Sequence, residues 1–389
     1  MNLTVQHAGY YEPLLRAVWR GREDAIEPLT NNEIRVVVEG VRRLSGGLTR
    51  ERALVGTPYM EDRALLGAYL LFYWPISYLQ ARSIIHELRP PGPRGIDLGS
   101  GPGPVALAGL DAGMTSMDAC DQSARALDAA QQIAIATNRQ LTLRDWNSRS
   151  RPWPGGAVGK YDLVSAGHLL NELADPELRW RVAREAMTHL SPQGSFVIIE
   201  PALRETSRGL LELRDRLIDA GHSIEAPCFF KGPCPALLRA SDWCHAERAV
   251  DLPEGVAELA EAASLHKEIL KFSYLVVRAS RVDPDPPAPR YRIVSELLEN
   301  KGRSRYLVCG PDGRAGMSQL HRHQTPDNQP FTTLKRGDAI DVHDVRHTGD
   351  GWAIGPESRV VLAARAGERL PAEGNTESSS EMLPLDPIK

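Results

Sequence analysis

The stretch from Arg94 to Pro104, RGIDLGSGPGP, constrains the fold of this chain more than any other. Apolar Ile96 and Leu98 flank Asp97, and glycines then follow at every second position before the apolar run VALAGL. Glycine allows a positive φ and leaves no Cβ between the backbone N–H groups and a ligand. A strand that ends in such a loop and opens a helix predicts the first βα unit of a nucleotide-binding sheet, although ordinary βα turns also carry two glycines.

The spacing of the glycines narrows the class of ligand. Dinucleotide-binding loops usually carry G-x-G-x-x-G, whereas D-x-G-x-G-x-G resembles motif I of the class I S-adenosylmethionine-dependent methyltransferases. That resemblance implies an α/β fold with a Rossmann-like sheet of the class I methyltransferase type. It also implies that the matching residues bind S-adenosylmethionine, namely Asp97, Gly99, Gly101 and Gly103.

Acidic residues after the loop are candidates for further cofactor contacts. Met114 to Asp121 is predicted as a second strand whose end places a carboxylate where a ribose diol needs an acceptor. We assign this role to Asp121, with Asp118 as the alternative because predicted strand ends slip by a few residues. Leu141 to Asp145 is predicted as a third strand. The methyltransferase resemblance implies that Asp145 lies beside the adenine. The alternative interpretation is that Asp145 is an exposed acid in a loop.

Composition limits the class of protein. With 389 residues, the chain is long enough for two domains or one large decorated domain. It has no run of eighteen apolar residues and no basic N-terminal segment followed by an apolar core, so we expect a soluble, cytoplasmic protein without a membrane partner. A net charge of -4 and a pI near 6.3 argue against a strongly basic, autonomous nucleic-acid binder.

Periodicity divides the chain into five parts. Residues 1–90 are predicted to be helical, and residues 91–280 alternate short strands with helices, which is typical of a doubly wound parallel sheet. A stiff Pro-rich linker at 281–290 leads to a small β-rich, OB-like domain at 291–366. The tail at 367–389 is rich in Glu, Ser and Pro and is predicted to be disordered.

An aromatic cluster lies in the N-terminal helical region. It favours a packing face against the sheet, with stacking on a base or a ligand adenine as the alternative. Pro75 within this segment is expected to kink or interrupt its helix. The members of the cluster are Tyr69, Phe72, Tyr73, Trp74 and Tyr78.

The candidates for catalysis follow the predicted fourth strand, Tyr161 to Ala166. Ligands bind beyond the carboxyl ends of strands in open α/β sheets, and the nearest polar candidates there are Asn171 and Glu172. No motif of the Asn-Pro-Pro-Tyr kind, which would position an exocyclic amine, occurs in the sequence. Its absence weakens the case for methyl transfer, and the catalytic residues stay open.

Cysteines concentrate in a lobe at residues 226–248, where Cys228, Cys234 and Cys244 lie among prolines. Closely spaced thiols suit a soft metal or an iron-sulfur cluster. A cluster needs a fourth ligand, for which Cys309 is a better candidate than Cys120, a predicted core thiol. A zinc site with the same four ligands and a free cysteine nucleophile for cytosine methylation both stay open.

Together the loop, the cysteine lobe and the late Cys309 resemble one family between about Tyr59 and Asp338. It comprises the methyltransferase-like assembly factors of the small ribosomal subunit, the Rsm-twenty-two or methyltransferase-like-seventeen group of mitochondria with its bacterial relatives. The resemblance implies a 4Fe-4S cluster on Cys228, Cys234, Cys244 and Cys309. It also implies that small-subunit ribosomal RNA is the partner of a protein that is monomeric off the ribosome. Both an RNA methyltransferase and an inactive RNA-binding assembly factor fit this resemblance.

Overall fold

A computed structural model describes residues 5–88, 92–151, 153–154, 161–265, 268–279, 288–349 and 351–370. Its α-helices are α1 (Val5–Arg20), α2 (Asn31–Ser45), α3 (Arg63–Ala68), α4 (Trp74–Glu87), α5 (Pro104–Asp111), α6 (Ala124–Ala136), α7 (Pro176–Thr188), α8 (Arg204–Asp219) and α9 (Glu254–Ala262). The strands of the first sheet are β1 (Arg94–Leu98), β2 (Ser116–Asp121), β3 (Leu141–Asp145), β4 (Tyr161–Gly167), β5 (Leu190–Pro201), β6 (Ser223–Ala226), β7 (Ala246–Ala249) and β8 (Ile269–Arg278). Those of the second are β9 (Arg290–Ile293), β10 (Leu298–Asn300), β11 (Arg303–Gly310), β12 (Gly313–Leu320), β13 (Ala339–His343), β14 (Arg346–Thr348), β15 (Gly351–Ile354) and β16 (Arg359–Ala364).

The first sheet has the strand order β3-β2-β1-β4-β5-β8-β6, and β7 pairs with β8 beside this path. Strands β1 to β5 pair in parallel, and β8 runs antiparallel to β5 and to β6. The chain winds outward in both directions from β1, so the order reverses between β1 and β4, where open α/β sheets bind their ligands. This is a class I methyltransferase-like α/β fold, and the predicted parallel sheet is confirmed with a mixed edge.

The N-terminal helices cover the face of the first sheet that carries α5. Phe72, Trp74 and Tyr78 are fully buried there, and the Trp74 indole N–H donates to the carbonyl of Pro102 at 2.9 Å. These contacts confirm a packing face for Phe72, Trp74 and Tyr78, whereas Tyr69 and Tyr73 are half-buried. The expected interruption at Pro75 is confirmed, because the regular α-helix gives way to a π-helical turn at Tyr69–Tyr73, and Pro75 lies in the first turn of α4, which follows it. A proline there gives up an N–H that the helix does not need.

The second sheet has the order β14-β15-β12-β11-β9-β13-β16, with β10 paired to β11. It encloses its own core, in which Tyr291, Tyr306 and Phe331 are buried. The β-rich character of this region matches the prediction, while the OB-like topology stays a prediction.

Parts of the sequence expectations lie outside the described residues, including positions 281–287 of the predicted linker and 371–389 of the predicted tail. The first residues of that tail are described, and they contact the end of α4. The Gly367 carbonyl lies 3.1 Å from His86 Nδ1, and Arg369 donates to the carbonyl of Leu88 at 2.6 Å. In the described part of the chain, no helix is both long and apolar enough to cross a membrane.

Candidate cofactor cleft and cysteine cavity

The loop after β1 requires its glycines for two reasons. Gly99, Gly101 and Gly103 have φ angles of 66°, 51° and 81°, in the left-handed region that side chains disfavour. A Cβ on Gly99 would lie 2.8 Å from Leu169 Cδ1, whereas a Cβ on Gly101 would meet only Met60 Cε, at 3.7 Å. The backbone at Gly101 is therefore open on the side where a ligand would approach.

Asp121 ends β2 directly beside this loop. Its Oδ2 accepts the Gly101 N–H at 2.8 Å, and its Oδ1 accepts the Ser123 N–H at 2.8 Å. The alternative residue, Asp118, instead accepts from Arg144 and from the Tyr161 hydroxyl. Asp145 is exposed and lies next to Asp121 in the strand register. The structure thus places Asp121 and Asp145 at the same edge and commits Asp118 to contacts within the sheet.

Asp97 is the buried acid of the loop and is only 1% exposed. Its Oδ1 accepts from the Ser165 hydroxyl at 2.7 Å, and its Oδ2 is buried with no hydrogen-bond partner among the described residues. Burial raises the pKa of this carboxyl to about 7. An unpaired acceptor here fits a ligand that brings a donor or a positive charge.

A segment that precedes α3 closes over the ends of the strands. Glu172 Oε2 accepts the Gly56 N–H at 3.2 Å, and its Oε1 accepts from the Tyr59 hydroxyl at 3.4 Å. Glu61 accepts from the Ser123 hydroxyl at 2.5 Å on the other side of the loop. Burial raises the pKa of Glu172 to about 7. The N-terminal region therefore forms one wall of the candidate cleft.

Glu200 belongs to this site although the sequence analysis did not assign it. It ends β5 and accepts the backbone N–H groups of Leu170 and Asn171, and burial raises its pKa to about 8. The Asn171 side chain donates to the His168 carbonyl at 2.7 Å. Both predicted catalytic candidates, Asn171 and Glu172, are therefore held in hydrogen bonds that shape the turn after β4. An acid at the end of a buried apolar strand was the available signal for Glu200.

The four cysteines predicted as metal ligands, Cys228, Cys234, Cys244 and Cys309, line one cavity of about 90 Å³. Burial, followed by the neighbouring Cys228 and Cys234 thiols, raises the pKa of Cys244 to about 12. The fifth cysteine, Cys120, is fully buried in β2 within the core, as predicted.

The cysteine cavity lies between the lobe and the second sheet. Arg214, 1% exposed at its side chain, donates to the Gly232 carbonyl of the lobe at 2.7 Å, and Arg292 of β9 donates to the Pro227 carbonyl at 3.1 Å. Arg314 of β12 pairs with Asp242 at 3.4 Å. Among the described residues, no group of three or more His, Cys, Asp or Glu side chains meets the geometry of a metal site. Four thiols around one cavity nevertheless form a donor set that soft metals prefer.

Comparison with known proteins identifies a family whose profile matches the chain. The profile of the family described as mitochondrial small ribosomal subunit Rsm22 matches residues 72–351. No curated protein matches the chain.

Solved structures that resemble the chain are distant. Ribosomal protein L11 methylase from Lactobacillus delbrueckii subsp. bulgaricus is 14% identical with a TM-score of 0.33, over 53% of this chain and 78% of that one. TrmN from Thermus thermophilus is 19% identical with a TM-score of 0.34, over 54% and 53%. Magnesium protoporphyrin IX methyltransferase from Synechocystis PCC 6803, solved with bound SAM, is 14% identical with a TM-score of 0.35, over 62% and 97%.

Proposed function

The chain belongs to the Rsm22 family, and on that premise we propose that it binds S-adenosylmethionine and acts on the ribosomal RNA of the small subunit or in the assembly of that subunit. The observation that carries the proposal is the joint position of the Gly101 backbone and the Asp121 carboxylate at the point where the strand order reverses. That is where an α/β sheet of this kind binds a nucleoside.

The charges around the loop suit this cofactor. S-adenosylmethionine carries a positive sulfonium and an ammonium group, and when bound it supplies the methyl group. Asp97 offers an unpaired buried oxygen to a cation, and Asp121 offers acceptors to the ribose hydroxyls. The positive φ angles of Gly99, Gly101 and Gly103 shape the loop, and Gly101 leaves its backbone open to a ligand. Asp145, next to Asp121 in the strand register, is our candidate for the contact with the adenine.

A specific observation favours the second candidate function, an assembly factor that binds the cofactor without transferring its methyl group. A methyl acceptor needs a free polar group to orient it. The Asn171 amide donates to the His168 carbonyl, and the Glu172 carboxylate accepts from Gly56 and Tyr59. Both groups stabilise the turn, so turning either one towards an incoming base would break hydrogen bonds of the turn.

The experiment incubates the purified protein and its Asp121→Asn variant with methyl-labelled S-adenosylmethionine and either free small-subunit ribosomal RNA or small-subunit particles. Label in the RNA that the variant does not produce supports the methyltransferase. Cofactor binding and particle binding without label support the assembly factor. A wild-type protein that binds neither the cofactor nor the particle contradicts the proposal as a whole.

We also propose that Cys228, Cys234, Cys244 and Cys309 hold a 4Fe-4S cluster, with structural zinc as the alternative. Support comes from the four thiols that line one cavity and from two cations, Arg314 and Arg336, that line the same cavity. Thiolate ligands carry negative charge, which these guanidinium groups offset. The bound metal would join the cysteine lobe to the second sheet.

Metal analysis after anaerobic purification tests this assignment. About four irons and four sulfides per chain, lost in Cys244→Ser and kept in Cys120→Ser, support the cluster. Zinc that is lost in Cys244→Ser and kept in Cys120→Ser supports the alternative. A metal-free protein would instead favour the hypothesis of a free cysteine nucleophile. A cytoplasmic location and a monomeric state off the ribosome stay predictions, and sedimentation of the free protein tests the latter.

A further inference from the structure

A second, smaller cavity lies next to the candidate cleft. It has a volume of about 30 Å³, room for about two water-sized groups. Its walls come from the segment before α3, the turn after β4, the end of β5, and the helices α7 and α8. The residues that the argument uses are Arg52, Asn171, Arg179, Glu200 and Glu205.

Arg52 is the unusual member of this cavity. Its φ of 54° lies in the left-handed region, which residues other than glycine adopt rarely. Its Nη2 donates to the Asn171 carbonyl at 2.8 Å, whereas its Nη1 is buried and has no hydrogen-bond partner among the described residues. A strained residue that leaves a buried cationic donor unpaired indicates a function in binding rather than in stability.

The other charged groups leave this guanidinium free to meet an anion. Arg179 is occupied, because it donates to the carbonyls of Leu173 and Ala174 at 2.6 and 3.2 Å. Burial raises the pKa of Glu200 to about 8, so its carboxyl is mostly protonated at neutral pH. Glu205 is exposed. The inner wall therefore offers donors and little negative charge.

We propose that Arg52 binds an oxyanion in this cavity, and that the oxyanion is a backbone phosphate of the bound RNA. The inference rests on the proposed function, because it places an RNA phosphate beside the turn that follows β4. The planar guanidinium matches the paired oxygens of a phosphate, and a cavity of this size admits two oxygens but not a base. A carboxylate would bind to the same guanidinium, and the carboxylate of S-adenosylmethionine is therefore the alternative oxyanion. The experiment distinguishes it from an RNA phosphate.

The test compares wild-type protein with Arg52→Gly, Arg52→Lys and Arg50→Met. Arg52→Gly removes the side chain and suits the positive φ, so the fold tolerates it, and thermal unfolding checks this. Arg52→Lys keeps the charge without the planar donors. Arg50 is exposed in the same segment and serves as the matched control. Binding of in vitro transcribed small-subunit ribosomal RNA is measured by filter retention across a salt series, and binding of S-adenosylmethionine is measured by calorimetry.

We expect Arg52→Gly to weaken RNA binding about tenfold and to reduce the slope of log affinity against log salt by about one. Arg52→Lys should restore part of the affinity and the slope, and Arg50→Met should bind like wild type. Cofactor affinity should not change. A loss of cofactor affinity with RNA binding intact overturns the proposal and assigns the carboxylate, and unchanged RNA binding in Arg52→Gly overturns it outright. If wild-type protein binds neither RNA nor cofactor, the proposed function fails instead.

Discussion

The backbone N–H of Gly101 donates to Oδ2 of Asp121 over 2.8 Å, and this bond ties the loop after β1 to the end of β2. Oδ1 of the same carboxylate accepts the Ser123 N–H. Each carboxylate oxygen keeps a second lone pair. Asp121 can therefore fix the shape of the loop and still accept from the hydroxyl groups of a ribose.

Replacing Asp121 by asparagine should weaken cofactor binding at least about tenfold, because the amide turns one acceptor into a donor that faces a backbone N–H. Leaving such donors unpaired should also lower the free energy of unfolding by about 1–3 kcal/mol. Asp118→Asn is the matched control, since Asp118 contacts Arg144 and Tyr161 within the sheet. Calorimetric titration with S-adenosylmethionine measures the cofactor affinity of both variants, and denaturant unfolding measures their free energy of unfolding. Equal losses in the two variants would contradict the role of Asp121.

The stability of the fold should depend on pH through the buried acids of the cleft. Burial raises the pKa of Glu172 to about 7 and that of Glu200 to about 8, whereas an unfolded Glu titrates near about 4.3. Between these values the folded protein holds protons that the unfolded chain has released, so the stabilising contribution is full at about pH 4 and is lost as the pH rises to about 8.

Urea unfolding at several pH values measures this dependence. Glu172→Gln should flatten the fall in the free energy of unfolding, because the neutral amide has no proton to lose. Glu177→Gln is the control, since the pKa of Glu177 is lowered by its bond to Arg216 and its titration lies below this range. A Glu172→Gln protein with the wild-type slope would show that Glu172 is already ionised in the fold.

Removing metal should loosen the second sheet, because three of the proposed ligands lie in the lobe and the fourth, Cys309, lies on β11. Chelation of the wild-type protein should raise hydrogen exchange in β9 and β11 at least about tenfold. The Cys309→Ser variant should show that faster exchange already before chelation, and chelation should not raise its exchange rate further. Cys120→Ser should respond like wild type. Exchange that is the same with and without metal would mean that other contacts alone hold the two parts together.

A buried ion pair joins α4 to the strands next to the cysteine lobe. Arg248 and Glu87 are paired with side chains only 4% and 6% exposed, and the Tyr274 hydroxyl donates to Glu87 at 2.7 Å. Arg248→Met should lower the free energy of unfolding by about 3–5 kcal/mol, since it leaves a buried carboxylate unpaired. Adding Glu87→Gln should recover part of the loss. Denaturant unfolding of the single and double variants measures these free energies. If the loss in the double variant equals the sum of the losses in the single variants, the two side chains are not coupled.

The parts of the site that depend on backbone conformation were predictable from the sequence. Glycine adopts the positive φ angles of the loop more readily than other residues, and the alternation of strands and helices placed Asp121 at the edge of the sheet. Pro75 correctly predicted an interruption of its helix, but periodicity does not show that the interruption takes the form of a π-helical turn. Arg52, Tyr59 and Glu200 were missed, since each acts through contacts with distant residues in the turn after β4. No local pattern encodes the contacts of Arg52 and Tyr59, whereas the position of Glu200 at the end of an apolar strand was a signal that the sequence analysis did not use.

Cys309 lies far along the chain from the other three cysteines, and this spacing sets an order on synthesis. The thiols of the lobe leave the ribosome first, and the last one follows only when β11 has been made. A metal that needs all four thiols can be retained only by a chain translated beyond that strand. Products truncated before Cys309 would stay unloaded, so the metal would mark molecules that have been synthesised at least as far as β11.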